Sequence, residues 1–189
     1  IPVVYFTELL AEALGVKELN IVAQDITRYG LDLYGEYSLA RLIRKITEET
    51  NIPWIRLLYC YPDKITDELV SELRDNPRLV KYMDIPVQHI SDKILRAMNR
   101  HGDSKTIKDA IVRLRSAVPD IILRTTAMVG FPGETYDEFL DTVSLVKEVK
   151  YGSMFTFIYS ARKGTPAAEL PDPVSKKEKT AWFMELLRV

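Results

Sequence analysis

PDIILRTTAMVGFPGETYDEF, residues 119–139, is the stretch whose reading decides the fold. Residues 121–129 are β-branched and apolar enough for a strand buried on both faces. Gly130-Phe131-Pro132-Gly133 cannot continue that strand, because Pro lacks the ladder donor and Gly is costly to order. Thr135 and Glu138 form the S/T-x-x-E pattern of a helix start, and Phe139, Leu140, Val143, Val146 and Val149 follow at helical spacing. Strand, glycine turn and helix make half of a repeating βα architecture, with Glu134 placed where the turn opens.

The flanking chain repeats the pattern. Residues 5–14 read as a helix ended by Gly15, residues 18–23 as a strand, and residues 36–49 as a helix beyond a loop rich in Gly and Tyr. Residues 54–61 read as the next strand, and Thr66-Asp67-Glu68 opens a third helix. Residues 81–87 are a strand whose pairing stops near Pro86, and Ser91 or Asp92 caps a helix carrying Ile94, Leu95 and Met98. Ile107, Ala110, Ile111 and Leu114 mark a further helix. Residues 153–159 form a fifth strand, residues 161–175 an extended or looped tail, and Ser175 with Glu178 starts a last helix through Leu187. Alternation of this kind argues an α/β fold of parallel strands joined by right-handed crossovers. A doubly wound sheet and a partial TIM-type barrel both satisfy it, and 189 residues fall short of the roughly 250 of a full eight-fold barrel.

Bulk composition narrows the function classes. Hydrophobic content of 47% and charged content of 28% are ordinary for a globular chain, and a net charge of −1 shows no overall nucleic-acid footprint. No apolar run approaches a membrane span, so no membrane association and a cytoplasmic location are expected. A single cysteine, Cys60, excludes an internal disulfide framework and fits a reducing compartment; with two histidines it cannot make a three-cysteine metal site.

Polar residues gather after the strands: Gln24 and Asp25; Tyr59, Cys60, Tyr61 and Asp63; Gln88 and His89; Gly130 to Glu134; Tyr159 and Ser160. Ligands bind on that side of barrels and open α/β sheets, so an enzyme site is the leading expectation. Each residue also has a purely structural reading. The glycine turn serves equally as a tight connection or, beside a helix N-terminus, as an anion cradle. A lone His89 is more often a hydrogen-bonded structural residue, Cys60 reads as an inert buried thiol, and the basic run 175–179 reads as a solvated helix start. Arg124, inside an apolar strand, must be paired or face a polar cavity.

Five strings, VAQDITRYGLDLYG (22–35), WIRLLYCYPD (54–63), KYMDIPVQHISDKILRAMNR (81–100), ILRTTAMVGFPGET (122–135) and FTFIYSARKGTPAA (155–168), together resemble the radical S-adenosylmethionine methylthiotransferases. The first four are similar to the ribosomal-protein branch (RimO-like) and the last to the tRNA-modifying branch (MiaB-like). The resemblance implies a partial (β/α)6 TIM-type barrel over residues 1–170, its first strand and cysteine loop missing, with a linker and helix over 171–189. It implies S-adenosylmethionine and a 4Fe-4S cluster as cofactors, a radical that abstracts hydrogen from an unactivated carbon, and a reductant such as flavodoxin or ferredoxin. The implied substrate is an aspartate of a small-subunit ribosomal protein; the alternatives are tRNA, or a non-catalytic scaffold that binds ribosomal protein or RNA. Carried over, the resemblance implies cofactor contacts from Gln24, Asp25, Gln88, His89, Arg124, Gly130, Phe131, Gly133, Glu134, Tyr159 and Ser160. Tyr59, Tyr61 and Asp63 are expected to face substrate. The family's C-x-x-x-C-x-x-C ligands are absent, so the cluster ligands are expected in a segment ahead of Ile1-Pro2, and the chain alone is expected to be inactive. A phosphate-binding barrel enzyme such as an aldolase competes; it requires phosphate at the Gly130–Gly133 turn and a reactive barrel lysine.

Overall fold

The computed structural model describes residues 15–189. The helix expected over residues 5–14 and the Ile1-Pro2 start lie outside the described residues. The chain forms two compact units, the first comprising described residues up to Asp84 with Arg113–Ile122, the second Ile85–Val112 with Leu123–Val189.

In the first unit, β1 (Glu18–Ile21), β2 (Trp54–Leu57) and β3 (Leu79–Asp84) pair in parallel. Glu18 lies opposite Trp54 and Ile21 opposite Leu57, while the β2–β3 register slips between Ile55 and Leu57. The strands are shorter than their apolar runs suggest. β2 stops before Tyr59 because that residue has φ 60°, which a strand cannot accommodate. The loop after β1 is itself ordered, holding a 3₁₀ turn (Ile26–Arg28) and a one-turn helix α1 (Leu31–Tyr34). Helix α2 (Leu39–Glu49) buries Ile43 and Ile46, and α3 (Asp67–Asp75) buries Leu69 and Leu73. Thr66 caps α3 by accepting from Leu69 N–H at 3.2 Å, with Asp67 and Glu68 in its first turn. At the other end of α3 the Lys81 ammonium donates to the carbonyls of Leu73, Arg74 and Asn76, where the helix dipole is negative.

The second unit contains α4 (Asp92–Ala97), β4 (Ile122–Val129), α6 (Tyr136–Val149), β5 (Ser153–Ile158) and α7 (Lys176–Leu186); α5 (Ser104–Ala117) precedes β4. Strands β4 and β5 run parallel from Arg124 opposite Ser153 to Val129 opposite Ile158. Both capping boxes form, Thr135 with Glu138 on α6 and Ser175 with Glu178 on α7. The apolar stripe of α6 then reaches its target: Phe139 and Val143 pack with Ala127, Val129 and Leu186, bordered by Leu140, Val146, Met154 and Trp182. Phe139 stacks on Trp182 with ring centroids 5.5 Å apart.

One expectation for β4 is corrected. Its burial alternates instead of being complete on both faces: Leu123, Thr125, Ala127 and Val129 are buried, while Arg124, Thr126 and Met128 are half-buried. The helices supply apolar cover to one face, and the other carries a guanidinium and a hydroxyl that such cover would strand.

Candidate functional site

The first unit brings the ends of its three strands together through polar contacts. The Asp25 carboxylate accepts from Thr27 N–H at 3.0 Å, from the Thr27 hydroxyl and from Arg28 Nε at 3.0 Å, so it shapes the 3₁₀ turn after β1. That turn is tied to the end of β2 by Ile26 N–H donating to the Tyr59 carbonyl at 3.1 Å, and by Tyr61 N–H donating to the Thr27 hydroxyl at 3.4 Å. Tyr59 is held at its positive φ by Asp84, the fully buried last residue of β3, whose Oδ2 accepts from Tyr59 N–H at 3.2 Å. The Tyr59 ring is left exposed, as are Gln24 and the half-buried Tyr61 in part. Asp63 pairs with Lys64 at 3.2 Å, a bond that raises the lysine's pKa. Burial pushes the Cys60 thiol well up, and the Asp84 and Asp25 charges push it further, so it is the inert buried thiol expected.

In the second unit the glycine turn is built around Glu134. This side chain is fully buried, and its Oε2 accepts the Gly130 N–H at 2.5 Å and the Phe131 N–H at 3.0 Å. Its Oε1 lies 3.0 Å from His89 Nε2. His89 Nδ1 accepts from Ser91 N–H at 2.9 Å, which leaves the ring proton on Nε2 and makes the histidine the donor to Glu134. Both His89 nitrogens and the Glu134 carboxylate are therefore engaged inside the protein, where they hold the glycine turn. A second carboxylate, Glu138, accepts from Thr135 N–H, the Ser91 hydroxyl and Lys93. Burial alone would raise its pKa, but these donors bring it down to about 2.

The anion cradle is overturned by the same contacts. The N–H groups of Gly130, Phe131 and Thr135 already face carboxylates, so phosphate would meet filled donors and like charge. The lysine in β3, Lys81, is likewise engaged by carbonyls. The aldolase-type reading fails on both counts.

Two buried polar atoms beside this turn have no protein partner among the described residues: Gln88 Oε1 and the Tyr159 hydroxyl. Gln88 is held at φ 67° by a bridge to β4, its N–H donating to the Thr126 carbonyl and its own carbonyl accepting from Met128. Tyr159 follows β5, donates its N–H to the Val129 carbonyl at 2.8 Å, and sets its ring edge-on to Phe131 at 5.1 Å. A buried unpaired polar atom costs about 1–3 kcal/mol, and strained backbone such as that of Gln88 collects at ligand sites. Gly133 has φ +82° with open space around it, and Ser160 is exposed. Arg124 does not join this group. It stands five residues before the end of β4, roughly 16 Å along the strand, with its guanidinium 4.9 Å from the Phe155 ring centroid.

The sequence profile of the radical SAM superfamily matches residues 5–146. The chain belongs to the radical SAM superfamily. Among curated radical SAM proteins it is 47% identical over 174 residues to the ribosomal protein uS12 methylthiotransferase RimO of Geobacter sulfurreducens, covering 92% of this chain and 39% of that protein. It is also 47% identical over 175 residues to the RimO protein of Carboxydothermus hydrogenoformans, covering 93% and 40%. The chain thus spans about two-fifths of the length of the curated relatives it matches. Solved radical SAM structures share its fold. Coproporphyrinogen III oxidase HemN from Escherichia coli aligns with a TM-score of 0.71 at 18% identity over 97% of this chain and 44% of that one. The methyltransferase TsrM from Kitasatospora setae aligns at 0.66 and 16% identity over 87% and 32%. These likenesses bear out the partial TIM-type barrel and leave the doubly wound sheet aside.

Asp84 and Lys179 escaped the sequence reading. Asp84 left a signal, an acid ending an apolar strand. Lys179 left none: it sits in the basic run read as solvated, yet it is buried at 5% exposure.

Proposed function

We propose that the chain is the catalytic core of a radical SAM methylthiotransferase that modifies ribosomal protein uS12, at an aspartate. The observation that carries this reading is the 47% identity to uS12 methylthiotransferases across nine-tenths of the chain. Those relatives carry the ribosomal-protein name, which favours that substrate over tRNA. The orphaned atoms of the second unit support S-adenosylmethionine as its ligand: Gln88 Oε1 would accept from it and the Tyr159 hydroxyl would bond to it, each gaining the partner it lacks. Phe131 and Tyr159 supply the aromatic surface beside them. His89 and Glu134 act one step back, fixing the Gly130–Phe131 backbone. In the second unit exposed Ser160 is also left available to the cofactor; in the first unit exposed Gln24 and Tyr59 stand at the strand ends without a role inside the fold.

When bound, S-adenosylmethionine supplies the radical chemistry; the protein's part is to position it and exclude water. Cys60 does not fit as a cluster ligand, being one buried protonated thiol where a cluster takes three or four thiolates. Among the described residues there is no group of three or more His, Cys, Asp or Glu placed to hold a metal. The test is anaerobic incubation of the natural full-length protein, reconstituted with iron and sulfide, with uS12, S-adenosylmethionine and a low-potential reductant. Mass spectrometry is expected to find a methylthio gain on uS12 in peptides containing the modified aspartate. Gain on tRNA and not on uS12 would overturn the reading.

A further inference from the structure

A cation in the first turn of a helix opposes the helix dipole, and burying its ammonium costs more again. Lys179 does both: it is the fourth residue of α7 and is buried. Its neighbours Lys176 and Lys177 are exposed, so the burial is particular to this position. Three contacts hold it. The ammonium pairs with the Asp172 carboxylate, and it lies 5.6 Å from the centroid of the Tyr159 ring. The alkyl chain crosses Gly130 so closely that a Cβ there would sit 2.5 Å from Lys179 Cδ and 2.6 Å from Cγ.

Packing alone does not call for a lysine. An apolar side chain of the same length would fill the space over Gly130 without a buried charge, and such replacements are commonly neutral for stability. What the ammonium adds is a fixed charge on the ring of Tyr159, whose hydroxyl is one of the orphaned atoms beside the glycine turn and whose ring meets Phe131 edge-on. The glycine at position 130 is thus explained from α7 as well as from its φ of +75°.

We propose that Lys179, anchored by Asp172, is a positioning residue of the cofactor site, setting the Tyr159 ring and the Gly130 turn from the C-terminal helix. This rests on the S-adenosylmethionine reading above. The structure therefore assigns to residues 172–179 a part in cofactor binding that a chain ending after β5 would lack.

The test is titration calorimetry of S-adenosylhomocysteine into the natural full-length protein, reconstituted anaerobically with iron and sulfide, with thermal unfolding measured alongside. Lys179→Met keeps the alkyl chain and removes the charge; it is expected to weaken binding about tenfold while the unfolding midpoint moves by no more than about 3 °C. Lys179→Arg, which keeps a cation over the ring, is expected to stay within about 1.5-fold of the parent. Should Lys179→Met not fold, Asp172→Asn carries the test with an expected loss of about threefold, because its carboxylate is partly exposed and the change is isosteric. Parent-like affinity in the Met and Asn variants, or equal loss in the Met and Arg variants, would overturn the inference while leaving the cofactor reading in place. A parent protein that binds no S-adenosylhomocysteine would overturn that reading, and this inference with it.

Discussion

Replacing Glu134 by glutamine perturbs the glycine turn with almost no change of shape. The carboxylate now satisfies three buried donors: Gly130 N–H, Phe131 N–H and His89 Nε2–H. A glutamine carbonyl can keep the two backbone donors, but its NH₂ then faces the His89 N–H. The ring cannot change tautomer to accept, because Nδ1 is committed to Ser91 N–H. One charge-assisted bond is lost and two donors confront each other without solvent, for an expected destabilisation of about 2–4 kcal/mol. For a chain of this size that lowers the thermal midpoint by roughly 6–12 °C. The assay is urea unfolding followed by circular dichroism for the parent, Glu134→Gln, His89→Leu and the double variant. The single losses should overlap, with an interaction of at least about 1 kcal/mol in the cycle. A Glu134→Gln loss below about 0.5 kcal/mol, or additive singles, would refute the claim that the pair holds the turn.

Three further outcomes follow from the same geometry. Glu138 has its folded pKa, about 2, below its ordinary 4.5, so its contribution is present above the unfolded value and is lost as pH falls from 4.5 towards 2. Glu138→Gln should therefore cost about 1–2 kcal/mol at pH 7 and little at pH 2.5 in urea titrations at the two pH values; an equal cost at both would count against it. Gly130→Ala should destabilise more than Gly133→Ala, since both bear a positive-φ penalty of about 1–2 kcal/mol but only the first also meets Lys179. Equal losses in denaturant titrations would contradict the close approach. Cys60 should resist a thiol-reactive dye at pH 8 in the folded protein and react fully in urea, and rapid labelling of the folded form would contradict its burial.

The α/β alternation was legible in the sequence because local chemistry writes it plainly. Thr135 and Glu138, and Ser175 and Glu178, announce helix starts by the same capping pattern, and Gly130-Phe131-Pro132-Gly133 forbids any strand. Strand ends were misjudged where tertiary contacts override propensity. Tyr59 belongs to an apolar run, but a carboxylate 25 residues away at Asp84 holds it at φ 60°. The candidate site was only partly legible for a related reason. Sequence marks His89 and Glu134 as titratable residues after strands but cannot say that they face each other across 45 residues and consume one another's polar atoms. Nor does it show that Lys179, one of three nearby lysines, is the buried one. For Gln88, named from the resemblance alone, the structure adds a buried side-chain oxygen without a partner among the described residues, which the sequence could not show.

The most direct measurement of the central claim is the affinity of Tyr159→Phe for S-adenosylhomocysteine, read beside its thermal midpoint. The substitution removes only the hydroxyl that no described residue satisfies. If that hydroxyl serves the cofactor, affinity should fall about fivefold while the midpoint stays level or rises, since an unpaired buried polar group is lost. Unchanged affinity would contradict the placement of S-adenosylmethionine at this turn.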